Sequence, residues 1–286
     1  MTKLIIWLPQ GRLGNLIFQC QAIHSIFDSD YTVLTFKTNF NDVFESPKNF
    51  HFLKIPFLHK GRIIIKINSF IRLLAKKRIC GLVTPRECLL NGQMLAETLE
   101  VERTRGLLPI WIFDGWFQSD QFCVTKLKIK THLGKVFEEK FGGIPTESRV
   151  AIHMRFGDYS SWNIFGKVGA VLPDDYYKNA VNKMKTDVID PVFIVFSDDL
   201  TKARGVLKNI DAKFFYHDGA EGEDLVGISK CGNAIVAAST FSWWGAYLID
   251  NPTRIIIAPN YWLGFKSKTW YPLDIKTNAF DYIDAL

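Results

Sequence analysis

His153, Arg155 and Asp158 stand close together in a stretch that reads Arg149-Val-Ala-Ile-His-Met-Arg-Phe-Gly-Asp-Tyr159. An imidazole, a permanently charged guanidinium and a carboxylate at this spacing can hold an anion and move a proton. Two more polar clusters follow, Ser197-Asp198-Asp199 and Ser239-Thr240. Serine and threonine hydroxyls at a helix N-terminus suit phosphate oxygens, and a guanidinium can take a second phosphate in a bidentate fork. Asp198 and Asp199 can accept two N–H groups from a guanine edge, which adenine cannot supply. Together the three clusters describe a metal-free site for a nucleoside diphosphate. A second reading has Arg155 and Asp158 simply paired across a surface turn, an arrangement worth little energy.

The elements that carry these groups are legible as strands and helices. Val150, Ile152 and Met154 alternate with Ala151 and His153, so residues 150–154 are expected to form a strand that turns at Gly157. Strands are also predicted over 191–196, 213–216, 234–237 and 254–258. Helices are predicted over about 173–184, 224–229 and 243–249. Strands alternating with helices imply a parallel sheet, whose carboxyl ends share one edge. Three of those ends carry the polar clusters, which favours one site over three surface decorations.

The N-terminal part opens with a strand over Leu4–Leu8, a loop holding Gly11 and Gly14, and a helix over Leu16–Phe27. The loop matches neither the dinucleotide nor the P-loop spacing, so it is either an anion-receiving turn or a plain one. A strand is expected over Tyr31–Phe36. Asp28-Ser29-Asp30 has a metal-site spacing that chance alone supplies about once in this chain, at a turn where Asp and Ser are expected anyway. Trp111–Phe122 is rich in aromatic residues and broken at Asp114-Gly115. Its aromatic faces beside polar side chains suit a sugar-binding wall or a core. The stretch Glu138–Ser148, with Gly142, Gly143 and Pro145, reads as a linker, dividing the chain into domains 1–145 and 146–286.

Composition narrows the function classes. Apolar residues make up 48% of the 286 residues and aromatic ones 14%, which describes a chain able to bury a large core. Its apolar runs are far shorter than the about 18 residues needed to span a bilayer. The first apolar run, Leu4–Leu8, is too short for a signal-peptide core, and a cytoplasmic location is expected. The five cysteines have no paired spacing, so neither a disulfide framework nor structural zinc is expected. The net charge of +6 is concentrated. Ser46–Arg86 contains ten Lys or Arg and no Asp or Glu, while the rest carries 25 basic against 29 acidic residues. Within it, residues 61–79 have the apolar spacing of a helix with a cationic face. That helix either lies on an anionic membrane or faces the core with a solvated basic side. No nucleic-acid reading motif accompanies the charge.

His153-Met-Arg-Phe-Gly-Asp-Tyr159 resembles the H-x-R-R-G-D-Y motif of the α-1,2-fucosyltransferases of glycosyltransferase family 11. The resemblance extends to Gly11-Arg-Leu-Gly-Asn15, Gly115-Trp-Phe-Gln-Ser119, Phe196-Ser-Asp-Asp199 and Ser239–Leu248, in family order. Phe156 stands where the family carries a second arginine, and Ala238 where it usually carries asparagine. The resemblance implies an α/β fold of the GT-B type, two Rossmann-like domains facing across a cleft. It implies a metal-independent, inverting transfer of L-fucose from GDP-fucose to the 2-hydroxyl of a terminal galactose. The acceptor would be a glycan, such as a lipid-linked O-antigen. Carried over by position, Arg155 holds the diphosphate, with His153, Ser197 and Asp198 toward the nucleoside and Ser239, Thr240 and Phe241 at the phosphate end. Arg12 and Asn15 are implied as donor contacts from the other domain, with Trp116 and Gln118 toward the acceptor and Asp158 as the candidate base. Two alternatives stay open: a transferase for another GDP-sugar, and a non-enzymatic protein that binds nucleotide or membrane.

Overall fold

A computed structural model describes residues 2–27, 30–53 and 61–286. Asp28 and Ser29 of the aspartate pair, and Lys54 and Lys60 of the basic segment, lie outside the described residues. The chain forms two compact units, one of Met1–Cys88 and Leu95–Lys128, the other of Leu89–Met94 and Ile129–Leu286. The Glu138–Ser148 stretch lies inside the second unit.

In the first unit β1 (Lys3–Trp7), α1 (Leu13–Ile26), β2 (Tyr31–Phe36), α2 (Phe40–Val43), β3 (Phe50–Leu53), α3 (Gly61–Lys76), β4 (Gly81–Leu90), β5 (Met94–Thr104) and β6 (Ile110–Phe113) follow in order. The sheet order is β3-β2-β1-β6-β4-β5, and β3, β2, β1, β6 and β4 are mutually parallel. The turn between β4 and β5 has Asn91 at φ 51° and Gly92 at φ 65°. Two successive left-handed residues are what a two-residue hairpin requires, and Asn-Gly is the pair that adopts them most readily. The sequence does not announce these two strands, since Pro85 interrupts the run and the alternation is poor.

The second unit contains α4 (Lys135–Phe141), β7 (Arg149–Met154), β8 (Asn163–Ile164), β9 (Lys167–Val168), α5 (Asp174–Asp187), β10 (Val192–Ser197), α6 (Leu200–Leu207), β11 (Phe214–Tyr216), α7 (Glu221–Ser229), β12 (Asn233–Ile235), α8 (Thr240–Tyr247), β13 (Ile256–Pro259) and β14 (Asp281–Ile283). Its six-stranded sheet runs β11-β10-β7-β12-β13-β14 and is parallel throughout. Numbered within the unit this is 3-2-1-4-5-6, the doubly wound nucleotide-binding order.

Every residue of β7 is buried, although its sequence alternates. A central parallel strand has helices on both faces, so even its polar positions leave water. Arg149, 4% exposed, meets that demand at the strand's amino end: it donates to the carbonyls of Ile144 (2.8 Å), Gly142 (3.3 Å) and Lys230 (3.3 Å). α8 packs on α7, with Gly245 set so close to Ile228 that a Cβ would fall 2.8 Å from its side chain. Trp243 and Trp244 are buried, and Trp243 stacks on Tyr247 at 4.5 Å. Much of the Ser239–Leu248 block is therefore packing that orients the N-terminus of α8.

Candidate functional site

Strand order reverses between β7 and β12, the place where a parallel sheet leaves a crevice outside its carboxyl ends. β7 brings His153 and Arg155 to that edge, and the chain leaving β12 brings Ser239 and the first turn of α8. β10, on the other side of β7, brings Ser197 and Asp198.

Arg155 is held from two directions. Its Nη2 donates to Asp158 Oδ1 at 2.5 Å and its Nη1 lies 3.0 Å from Asp198 Oδ2. The guanidinium also sits over the Tyr159 ring, 5.3 Å from its centroid. Tyr159 is fixed in turn by donating its hydroxyl to the Ala238 carbonyl at 3.1 Å. The pairing with Asp158 is thus present, with a second carboxylate that the local sequence does not reveal. Asp198 Oδ1 accepts the Phe156 N–H at 2.9 Å, so one carboxylate clamps both the guanidinium and the turn behind it. Only two of the five guanidinium N–H groups are engaged by carboxylates, and the side chain is 12% exposed. A planar donor fork in this state is pre-oriented for a phosphate.

Gly157 makes the clamp possible. A Cβ there would lie 2.7 Å from Asp198 Oδ2, so any side chain displaces the carboxylate that positions Arg155. We expect Gly157→Ala to lower kcat/KM about tenfold through this displacement. The thermal midpoint should change by only a few degrees, because a side-chain end is what must move. Steady-state kinetics with a parallel melt checks this, and unchanged kinetics would remove Asp198 from the positioning role.

His153 is 6% exposed, and its ring lies 5.3 Å from that of Phe241 in the first turn of α8. Ser239 is the N-cap of α8, but its side chain makes no capping hydrogen bond. The hydroxyl that would ordinarily satisfy the first-turn N–H groups does not do so, which suits a ligand anion there. Asp199 has a different task from Asp198: it caps α6, accepting the Lys202 N–H at 3.0 Å and facing Lys202 Nζ at 3.1 Å. The Lys202 backbone N–H, then its ammonium, hold the Asp199 carboxyl below the usual carboxylate range. Ser197 Oγ accepts the Asp199 N–H at 3.1 Å. Phe156 is buried among the apolar side chains of the second unit, so at this position only its backbone serves the site.

One rim pair lies outside the three polar clusters. His217, just past β11, places Nδ1 2.8 Å from Asp224 Oδ1, and Gly219 packs so tightly that a Cβ would fall 2.5 Å from His217 Cε1. Burial pushes the Asp224 carboxyl up, against the opposing pull of His217. The signal was available, since Phe214-Phe-Tyr216 followed by His217-Asp218-Gly219 repeats the pattern of an apolar strand with a polar end.

In the first unit Gln118 Nε2 donates to Asn15 Oδ1 at 2.7 Å. Gly11, at φ 75°, lies under both Asn15 and Trp116: a Cβ would be 2.3 Å from Asn15 Nδ2 and 2.7 Å from Trp116 Cζ3. Asn15, assigned to the donor, and Trp116 and Gln118, assigned to the acceptor, therefore form one cluster. Arg12 is exposed at the start of α1, and its carbonyl accepts the Asn15 N–H at 2.9 Å. Trp116 is presented by a turn in which Gly115 has φ 150° and Phe117 φ 53°. Glu97 on β5 holds that turn, accepting the N–H groups of Trp116 and Phe117 at 2.9 Å. No sequence signal marked Glu97. Among the described residues no group of three or more His, Cys, Asp or Glu is arranged to hold a metal.

Two Rossmann-like units, one with an arginine held between two carboxylates at its switch point, are the architecture of the GT-B fold class. The sequence profile of Glycosyl transferase family 11 matches residues 115–271, more than half of the chain, and the chain belongs to that family. It is 34% identical over 128 residues to the O-antigen biosynthesis glycosyltransferase WbnK of Escherichia coli, covering 43% of this chain and 42% of that protein. It is 30% identical over 164 residues to an alpha-1,2-colitosyltransferase of Escherichia coli, covering 52% and 55%. The matched region thus spans about half the length of these curated relatives. The crystal structure of NodZ alpha-1,6-fucosyltransferase soaked with GDP-fucose is similar over 90% of this chain and 95% of that one. Its TM-score is 0.51 at 13% identity, a likeness of fold.

Proposed function

We propose that the protein transfers L-fucose from GDP-fucose to the 2-hydroxyl of a terminal galactose in a glycan, with inversion and without a metal. The observation that carries this reading is Arg155, clamped by Asp158 and Asp198 at the switch point of a nucleotide-binding sheet. In this transfer the acceptor oxygen forms a bond to the anomeric carbon while the bond to the diphosphate breaks. Charge develops on the departing diphosphate, and Arg155 with the N-terminus of α8 neutralises it. Fixed donors need no reorganisation at that moment, so the clamp is part of the catalysis. Ser239, Thr240 and Phe241 serve the phosphates, while His153, Ser197 and Asp198 serve the nucleoside end.

The acceptor proton goes to Asp158 in this reading. Its side chain is half exposed and only Oδ1 is engaged by Arg155, which leaves Oδ2 for a hydroxyl. Arg12 and Asn15 are assigned to the donor sugar, and Trp116 with Gln118 to the galactose, whose apolar face an indole can cover. Five free cysteines, three of them buried thiols, fit a reducing, cytoplasmic setting.

A galactoside incubated with GDP-fucose should yield GDP and an α-1,2-linked product at the same rate with and without chelator. Failure with every galactoside tested would overturn the acceptor assignment, and loss of activity with chelator would overturn the metal-free assignment. The similarity to a colitosyltransferase favours one second reading, a different GDP-linked sugar as donor. A donor panel under the same conditions decides between them.

A further inference from the structure

The outward face of α3 is unlike an ordinary solvated helix face. A step of 100° per residue places Ile65, Lys66, Ser69, Phe70, Leu73, Lys76 and Lys77 within one arc of about 140°. All seven are exposed, Ile65 by 65% and Phe70 by 60%, while Ile71, Leu74 and Ala75 on the opposite side pack against Leu8 and Ile112. The helix is thus a core helix that also carries a second, outward apolar row between lysines. Among the described residues its only ion pair is Arg72 with Asp114, at 2.6 Å, which ties it to the unit.

A second element extends this surface. Leu107 and Leu108, 86% and 47% exposed, donate their N–H groups to the carbonyls of Arg78 and Ile79, just past the end of α3. Gly106 lies against the Cys80–Gly81 backbone so closely that a Cβ would fall 2.2 Å from the Cys80 carbonyl carbon. The two leucines are therefore held out by a close-packed backbone. Arg78 and Arg105 flank them, both exposed. Ile65, Phe70 and Leu73 thus lie among cations on a stretch with no acidic residue between Ser46 and Arg86, and Leu107 and Leu108 stand beside the end of that helix.

We propose that this face, α3 together with Arg105–Leu108, docks the protein on an anionic lipid surface. The apolar residues enter the boundary between headgroups and acyl chains, and Lys66, Lys76, Lys77, Arg78 and Arg105 meet the lipid phosphates. A protein partner matched to the same face would have to be both acidic and apolar, and a nucleic acid would leave Ile65, Phe70, Leu107 and Leu108 unused. The lipid surface satisfies both halves of the chemistry. The inference stands apart from the donor and acceptor assignments, since it uses none of their residues.

Flotation with phosphatidylglycerol-containing and pure phosphatidylcholine vesicles tests it. The protein should float with the anionic vesicles at low salt and release at high salt. A Lys76→Glu/Lys77→Glu variant should lose at least about 25-fold in partitioning, at about fivefold per charge removed. Phe70→Ser/Leu107→Ser should also stay unbound, with an unchanged circular dichroism melt and unchanged GDP binding. Absence of flotation, equal flotation of the variants, or preferential binding to RNA would overturn the proposal. So would a lipid-independent dimer in sedimentation velocity that Phe70→Ser abolishes.

Discussion

Arg155→Ala should reduce transfer by about 100- to 1,000-fold, the loss seen when a fixed donor at a developing oxyanion is removed. Two physical accounts of Arg155 make opposite forecasts here. If it were only the cation of a strand-end ion pair, its removal would cost no more than about 1 kcal/mol of stability and leave turnover intact. If it neutralises the departing diphosphate, turnover collapses while the fold persists. The geometry favours the second account, because a single decorative pair does not need two carboxylates and an aromatic face. Removing the cation does leave Asp198 partly buried and short of one partner, so a drop of a few degrees in Tm is expected. GDP titration calorimetry on the folded variant separates the outcomes. Weakened GDP binding with lost turnover supports the assignment, and wild-type affinity with wild-type turnover refutes it. Arg155→Lys should recover only part of the activity, since an ammonium keeps the charge without the planar fork.

The second unit was readable because its sequence obeys simple periodicities. β7, β10 and the end of β12 each appear as an apolar run closed by a polar cluster, and the parallel sheet puts those clusters on one edge. Local spacing gave Arg155 with Asp158, since they are three residues apart. Asp198 as the second clamp was not legible, because its contact with Phe156 N–H depends on the registry of β10 beside β7. The first unit was harder. β4 and β5 carry too little alternation, and only Asn91-Gly92 betrays the hairpin. Asn15 and Gln118, more than a hundred residues apart, meet because β6 pairs beside β1. Their shared hydrogen bond puts a residue assigned to the donor beside one assigned to the acceptor. Glu97 was invisible altogether, since its partners are backbone groups, which carry no sequence label.

That carboxylate should leave a measurable imprint on stability. Burial is the chief cause that lifts the Glu97 pKa from the usual 4.5 to about 7. The N–H groups of Trp116 and Phe117 pull it back, and Glu87 and Asp114 push it further up. Because the folded value is the higher one, the folded protein binds more protons than the unfolded chain between those two pH values. Stability contributed by this group therefore falls as pH rises from about 4.5 to about 7, and is level above that, by about 3 kcal/mol in all. Glu97→Gln removes the titration. Urea unfolding at pH 5, 6, 7 and 8 should show wild type losing ground to the variant across this range, and parallel curves would refute the shift. The variant's amide oxygen can keep the two N–H bonds that Oε2 accepts, but its NH₂ then stands where Oε1 also accepts the Trp116 N–H, so the Trp116 turn loosens at every pH. KM for the acceptor should then rise about tenfold with the donor KM unchanged, an effect a purely structural carboxylate far from the acceptor would not produce.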